Sequence, residues 1–364
     1  MKLLQPNARP IHCAVFKHEP ADFVVTEIMP IEQTGTGEHL WLYLSKINLN
    51  TTYVARLLAD WAGVLVRDVG YSGLKDRHAI THQWFSVRLP SQTPPAVDFA
   101  TFAAAHLTDN ESLTVTKSIW HNRKLNRGTH KQNAFGIRLR AVKGERDAIE
   151  RTLTHIAQHG VVNYFGKQRF GRDANNIAKA QAFFDKLLTS NKPYRPNKKF
   201  AERDGLMISV ARSVLFNAML TQRVADGTWD TAIAGDVFNL DGTGSIFADS
   251  ITDDIRLRVR ACDIHPTAPL YGIGTRRDCD TAQQCYDTVL DRAELATFRH
   301  GLAHIQAKLS YRPLRLMVQD LTWCDDGDDL LINFCLPKGS FATVVLDALV
   351  ENLISNHHDA TDDA

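Results

Sequence analysis

The order in which two hydrophobic periods appear constrains the fold of this chain more than any other feature. Near the N-terminus the period is two. Phe23 to Ile28 and Leu40 to Ser45 tend to alternate apolar and polar side chains, and Trp84 to Leu89, Leu113 to Lys117 and Ala134 to Arg140 also read as strands. The helical period enters after Asn50-Thr51-Thr52, where Val54, Leu57, Leu58 and Trp61 form one apolar stripe. It returns in Arg146 to His159, through Ile149, Leu153 and Ile156, and Gly160 stops it. Helices are then expected near Asp173 to Thr189 and Ser209 to Ala225. A mixed, turn-rich stretch follows from about Gly227 to Asp287, and a long helix from about Asp291 to Leu309. Leu330 to Leu336 reads as a buried strand, and Ser340 as the cap of a last helix reaching Ile354. Strands first, helices in the middle, strand and helix last describe an α+β chain with a helix-rich insertion between two parts of one sheet domain. A length of 364 residues suits two domains.

Several classes are excluded early. The longest apolar stretches, such as Phe341 to Leu346, are far shorter than the roughly 20 residues that span a bilayer. Met1 to Pro10 lacks the apolar core of a secretion signal. The six cysteines, Cys13, Cys262, Cys279, Cys285, Cys324 and Cys335, form no Cys-x-x-Cys pair. They read as reduced, mostly buried thiols of a cytoplasmic protein. His78-x-x-x-His82 runs into a strand and has no third ligand nearby, so no metal site is expected. Gly272-Ile-Gly274 lacks the third glycine and the strand-to-helix setting of a dinucleotide site. No phosphate-binding P-loop and no Gly-x-Ser-x-Gly elbow occur.

Charge is informative locally rather than globally. The net charge is only +1, yet Ser112 to Gly144 contains no acidic residue and carries Lys117, Arg123, Lys124, Arg127, Lys131, Arg138, Arg140 and Lys143. A second basic stretch holds Lys192, Arg195, Lys198 and Lys199, while aspartates gather at 325–329 and in the tail from Ser355, expected to be disordered. Such segregation can present one strongly positive face.

Two groups of residues carry chemistry. Asp76 lies between Lys75 and Arg77 in a polar, glycine-bearing loop, the kind of segment on which sites are built. A carboxylate among cations suits a nucleophile or an electrostatic stabiliser rather than a proton donor. A surface ion pair or a loop cap has the same pattern. Secondly, aromatic and basic residues interleave in Tyr164, Phe165, Lys167, Arg169 and Phe170; Phe135 closes the basic loop, and Phe341 follows Lys338-Gly339-Ser340. Rings that stack on unpaired bases and cations that neutralise phosphates are the combination that reads looped RNA. Core packing is the competing explanation for each ring.

These residues resemble a known family. Gly73-Leu-Lys-Asp-Arg-His-Ala-Ile-Thr-His-Gln83 is similar to the signature of the TruD family of tRNA pseudouridine synthases, and Asn163-Tyr-Phe-Gly-Lys-Gln-Arg-Phe-Gly171 to a second motif of that family. Lys17-x-x-Pro20-x-Asp22-Phe23-x-Val25, Gly37-Glu38-His39-Leu40 and Leu336-Pro-x-Gly-Ser-Phe-Ala-Thr343 resemble its terminal patterns, in order along the chain. The resemblance implies a pseudouridine synthase core in residues 1–159 and 317–364, with a TRUD domain inserted at 160–316. It implies a cofactor-free isomerisation of uridine 13 in the D-arm of tRNA, with no membrane and no protein partner. By the same resemblance Asp76 matches the catalytic aspartate. Phe23, Asn133 and Phe341 match substrate-contacting positions. Phe135 and Lys17 line the same pocket, with Lys17 as the ion-pair partner of Asp76. Two departures stand out. Gln132 replaces a glycine beside Asn133; a positive φ there would cost roughly 1 kcal/mol and alter the local backbone. Asn126 stands where the pattern has arginine, and Arg127 follows it. The alternative from another class is a non-catalytic tRNA-binding or RNA-folding protein. A methyl transferase is disfavoured by the missing glycine-rich loop.

Overall fold

In the computed structural model, described for residues 3–30, 32, 34–190 and 192–355 (without the Arg172 side chain), the N-terminal region is built on strands. These are β1 (Ile11–Phe16), β2 (Phe23–Ile28), β3 (His39–Ile47), β4 (Val69–Tyr71), β5 (Ile80–Arg88), β6 (Ser112–His121) and β7 (Gln132–Gly144). Three helices accompany them: α1 (Thr51–Ala62), α2 (Phe99–Ala104) and α3 (Arg146–His159). The stripe on α1 buries Val54, Leu57, Leu58 and Trp61 against Leu42, Leu44, Phe85 and Val87 of the sheet. The chain then forms β8 (Val161–Val162), α4 (Lys167–Phe170), α5 (Asn175–Ser190) and α6 (Ala201–Ala225). Next come β9 (Val237–Leu240), β10 (Ile246–Ala248), α7 (Asp253–Arg260), β11 (Ile264–Leu270), α8 (Asp280–Leu290), α9 (Ala296–His304) and β12 (Ser310–Pro313). It returns through β13 (Arg315–Leu316), β14 (Gln319–Asp326), β15 (Asp329–Pro337), α10 (Ala342–Leu349) and β16 (Val350–Ser355).

Strands from both ends of the chain share one ten-stranded sheet, ordered β14-β15-β7-β2-β5-β3-β6, with β1 paired to β7 and β16, and β4 paired to β5. This is the α+β arrangement that the two hydrophobic periods predict. Residues between β8 and β13 carry a separate core around α5, α6, α8 and α9. A four-stranded sheet, β10-β9-β11-β12, lies in the same stretch. The strands that leave and re-enter, β8 and β13, pair with each other through Val161–Leu316 and Val162–Arg315.

The C-terminal expectations need correction. The last helix stops at Leu349 rather than Ile354, because Val350 turns extended and β16 pairs in parallel with β1, from Ile11–Val350 to Phe16–Ser355. An available sheet edge outweighs helix propensity there. Ser355 therefore ends a strand, and the rest of the expected disordered tail lies outside the described residues. The long helix over 291–309 is instead a short 3-10 turn, Ala293–Leu295, followed by α9, which ends at His304; Gln306 then turns to a φ of 56°. Helix α8 occupies the end of the stretch expected to be turn-rich.

Register explains how the site is assembled. β1 and β2 lie along β7 one after the other, Val15 opposite Arg140 and Phe23 opposite Ile137. The corner between them begins at Lys17, which adopts a φ of 56°. β2 runs parallel to β5, with Val24 opposite Ile80. Parallel neighbours start at the same end of a sheet, so the corner entering β2 and the loop entering β5 lie side by side.

Candidate active site

That loop, Ser72 to Ala79, crosses a face of the sheet formed by alternate residues: Phe23, Val25 and Glu27 on β2, and Asn133, Phe135 and Ile137 on β7. Gly73 lies against His130, whose Cε1 would be 3.1 Å from a Cβ at this position, a close approach that glycine relieves. The carbonyl of Gly73 accepts a hydrogen bond from Gln83 Nε2 at 3.1 Å, and the Lys75 amide donates to Thr51 Oγ1 at 3.0 Å. Lys75 Nζ reaches Glu27 Oε1 at 3.3 Å, and the Trp84 amide donates to Glu27 Oε2 at 3.1 Å. Burial pushes the Glu27 carboxyl up, against the opposing pull of Lys75.

Asp76 follows at the Lys17 end of the loop. Lys17 Nζ lies 3.2 Å from Asp76 Oδ1, with side-chain exposures of 2% and 27%. The same ammonium sits 4.5 Å from the centre of the Phe23 ring and 5.4 Å from that of Phe16. Phe23 in turn stacks on Phe135, ring centres 6.1 Å apart. Beneath the loop lies Lys46, with no exposed surface. It donates to the Leu49 carbonyl at 2.6 Å and to the Asp76 backbone carbonyl at 3.3 Å. Burial pulls its ammonium down to about 7, although Asp76 opposes the change. The loop is thus held from below by two buried lysines, while the Asp76 carboxylate keeps an open edge.

Asn133 stands farther along the face, between Glu27 of β2 and Leu336 of β15. Its Nδ2 is 3.5 Å from His130 Nε2, and its Oδ1 is buried with no hydrogen-bond partner among the described residues. Burial, then Lys75 and Lys338, pull the His130 imidazole down to about 4, so the ring is neutral at pH 7. Its Nδ1 contacts Ser72 Oγ at 2.6 Å. Whichever way the Asn133 amide is turned, one edge faces His130 and the other lacks a partner among the described residues. Phe341, half-buried just before α10, packs against the core cluster that contains Phe23 and Phe135.

The structure brings Lys17, Asp76, Phe23 and Phe135 into one contact network and sets Asn133 on the same face. Other expectations change. Tyr164, Phe165 and Phe170 are core residues packed with α5 and α6, not rings open for stacking. Phe23 and Phe135 are also buried, so they form a floor rather than exposed platforms. Gln132 is a regular β7 residue, opposite Pro337 and Ile28, and has no positive φ; the expected strain and altered backbone are absent. Its side chain instead bonds Gln319. Arg127, next to the substituted Asn126, lies 4.2 Å from the Tyr71 ring centre and donates to its hydroxyl at 2.7 Å.

The acid-free segment does not form one uniform basic face. Arg138 pairs with Asp326 and Asp329, and Arg140 with Asp22 and Glu19. Lys117, Arg123, Lys124, Arg127 and Lys131 pair with no described carboxylate, so the loop end keeps its positive charge. The thiols are free, but of the six only Cys335 is buried; Cys13, Cys262 and Cys285 are partly exposed, and Cys279 and Cys324 are exposed. Among the described residues no three His, Cys, Asp or Glu side chains gather as a metal-holding group, and no helix is long and apolar enough to cross a membrane.

Glu27, Lys46 and His130 belong to the site as well, although no motif marks them. Two of them leave a legible mark: Glu27 continues the apolar face Phe23, Val25, and Lys46 continues Leu40, Leu42, Leu44. A charge in register on a buried strand face needs a partner, and here the partners are the loop that carries Asp76.

Comparison with known proteins places the chain in a family. The family model described as tRNA pseudouridine synthase D (TruD) matches residues 7–180 and 202–349. A protein named tRNA pseudouridine synthase D from Psychrobacter arcticus is 43% identical, covering 98% of this chain and 95% of its own. One of the same name from Xanthomonas oryzae is 40% identical, covering 95% and 94%. The solved structure described as a tRNA pseudouridine synthase D from Methanosarcina mazei superposes with a TM-score of 0.69 over 95% of each chain, at 21% identity, and shares the fold. With the family model and these relatives spanning nearly its whole length, the chain belongs to the TruD family of tRNA pseudouridine synthases.

Proposed function

We propose that this chain isomerises a uridine of tRNA to pseudouridine, that the uridine is position 13 of the D-arm, and that Asp76 is the catalytic carboxylate. The observation that carries this reading is the Asp76 carboxylate itself, held 3.2 Å from the buried Lys17 on an aromatic floor, with one edge open. In the reaction the N1–C1′ bond breaks, the uracil turns, and C5 bonds to C1′. C5 loses a proton and N1 gains one, so the step needs no oxidant and no co-reactant. The sugar carbon becomes electron-poor as the first bond breaks, and an ionised carboxylate can trap or stabilise it, as in retaining glycosidases. A covalent adduct at C1′, attack at C6 of the base and formation of a glycal each use the same carboxylate.

The other residues hold the base. The unpartnered amide edge of Asn133 suits the donor and acceptor groups of a detached uracil, and Phe341 supplies a ring beside it. Phe23 and Phe135 support Lys17 from below. Extruding a nucleotide from folded tRNA costs a few kcal/mol. Phosphate contacts from Lys117, Arg123, Lys124, Arg127 and Lys131 would offset that cost. Residues 1–159 with 317–364 serve as the catalytic unit, and 160–316 as the inserted TRUD domain that clasps the RNA. The separate core of that segment and the β8–β13 pairing support this division. Such an enzyme works in the cytoplasm.

Purified protein incubated with unmodified tRNA, without added cofactor, should produce a carbodiimide-dependent primer-extension stop at uridine 13. Binding without any stop would favour a non-catalytic RNA-binding protein. A stop elsewhere would overturn the assigned position.

A further inference from the structure

Two cations, Arg169 and Arg312, meet at the Phe165 ring with no counter-charge among the described residues. The Arg312 guanidinium lies 4.2 Å from the centre of the Phe165 ring, and that of Arg169 lies 5.8 Å from the same ring. Arg312 donates to Asn163 Oδ1 at 2.6 Å. The Nε atoms of both arginines are buried and have no partner among the described residues. Among the described residues neither arginine has a carboxylate partner. Burial, with Arg169 acting in the same direction, pulls Arg312 down to about 10, and burial lowers Arg169 too.

A third unsatisfied group lies beside Gly166, three residues before Arg169. Thr343 Oγ1 is buried without a partner among the described residues, 3.2 Å from the place a Cβ on Gly166 would take. Thr343 lies two residues after Phe341, in the first turn of α10. Both arginines retain a partly exposed edge. A fold that brings two guanidiniums together without a carboxylate loses stability; the Phe165 ring and the Asn163 oxygen offset part of the loss, and no described residue supplies a full negative charge. A phosphodiester would: its two anionic oxygens match the guanidinium fork, and its oxygens accept from a hydroxyl.

We infer that Arg169, Arg312 and Thr343 form a subsite for a backbone phosphodiester of the RNA, next to the nucleotide held beside Phe341. The inference rests on the RNA-binding part of the proposed function and not on catalysis by Asp76.

The test measures tRNA binding by wild type, Arg169→Met, Arg169→Lys and Arg312→Gln across a salt series, together with their melting temperatures. Arg169→Met should melt at or above the wild-type temperature, because it removes an unpaired charge. Its tRNA dissociation constant should rise about 5- to 10-fold, and the slope of log K against log salt should shrink by about 0.7–0.9. Arg169→Lys should restore the slope, and Arg312→Gln should lower it by a similar step. Asp76→Asn should retain the full wild-type slope. Unchanged slopes in Arg169→Met and Arg312→Gln would overturn the subsite, even if pseudouridine still forms. A lowered melting temperature in Arg169→Met would also overturn it, since the charge would then be compensated within the fold. If inorganic phosphate raises the melting temperature of wild type but not of Arg169→Met while tRNA slopes stay equal, the site takes free phosphate and the RNA assignment fails. If wild type forms no pseudouridine yet the slopes shift, the subsite stands and the catalytic reading falls.

Discussion

Lys17 Nζ bridges two groups that are far apart in sequence: it lies 3.2 Å from Asp76 Oδ1 and 4.5 Å from the centre of the Phe23 ring. The contact follows from topology, because the corner carrying Lys17 and the loop carrying Asp76 enter the parallel neighbours β2 and β5 at the same end. Lys17→Met keeps the length and the ring contact but removes the ammonium. It should lower the single-turnover rate by roughly 10- to 100-fold, about 1.4–2.7 kcal/mol, with tRNA affinity unchanged. A wild-type rate at saturating tRNA would mean that Lys17 serves only the fold.

Glu27 ties the other end of the loop. Its buried carboxylate accepts from Lys75 Nζ and the Trp84 amide. Glu27→Gln leaves the Lys75 ammonium buried without its counter-charge, and losses for such broken pairs are about 3–5 kcal/mol. The midpoint of urea unfolding should fall accordingly; an unchanged midpoint would contradict the pairing.

His130 sets a pH dependence. Burial, Lys75 and Lys338 hold its folded-state pKa at about 4, below the ordinary value near 6.5. A group depressed in this way takes up a proton more readily when unfolded. Its contribution to stability is therefore complete above about pH 6.5 and is lost as pH falls toward 4. Melting temperatures of wild type should drop across that window more steeply than those of His130→Asn. Parallel curves would show that His130 is not the group responsible.

Phe341→Ala should cost about 1–3 kcal/mol of binding or single-turnover rate if the ring stacks on the base. A variant with the wild-type rate at saturating tRNA and a lowered melting temperature would show a residue that belongs to the core alone.

The sequence makes some of this arrangement legible, for identifiable reasons. Alternation marks β2 and β7, and the stripe from Val54 to Trp61 marks α1, because each buries one face only, whereas β3 also buries Trp41 on its second face. Asp76 and Lys17 are recognisable from their motifs, and the structure joins them. Tyr164, Phe165 and Phe170 mislead because a short glycine-flanked aromatic segment looks like a loop, whereas α5 and α6 bury it. No local period reveals that packing. β16 is invisible for a similar reason: its strand character comes from the edge of β1, more than 300 residues earlier in the chain. Arg138 and Arg140 look like an RNA-facing patch until sheet pairing brings Asp329 and Asp22 beside them.

The central claim is most directly tested by Asp76→Asn, which preserves the shape of the side chain and removes its charge. Measured as pseudouridine formed per enzyme in a single turnover, with saturating unmodified tRNA, the variant should fall by several orders of magnitude while still binding the RNA. A rate within tenfold of wild type would contradict the assignment of Asp76 as the catalytic group.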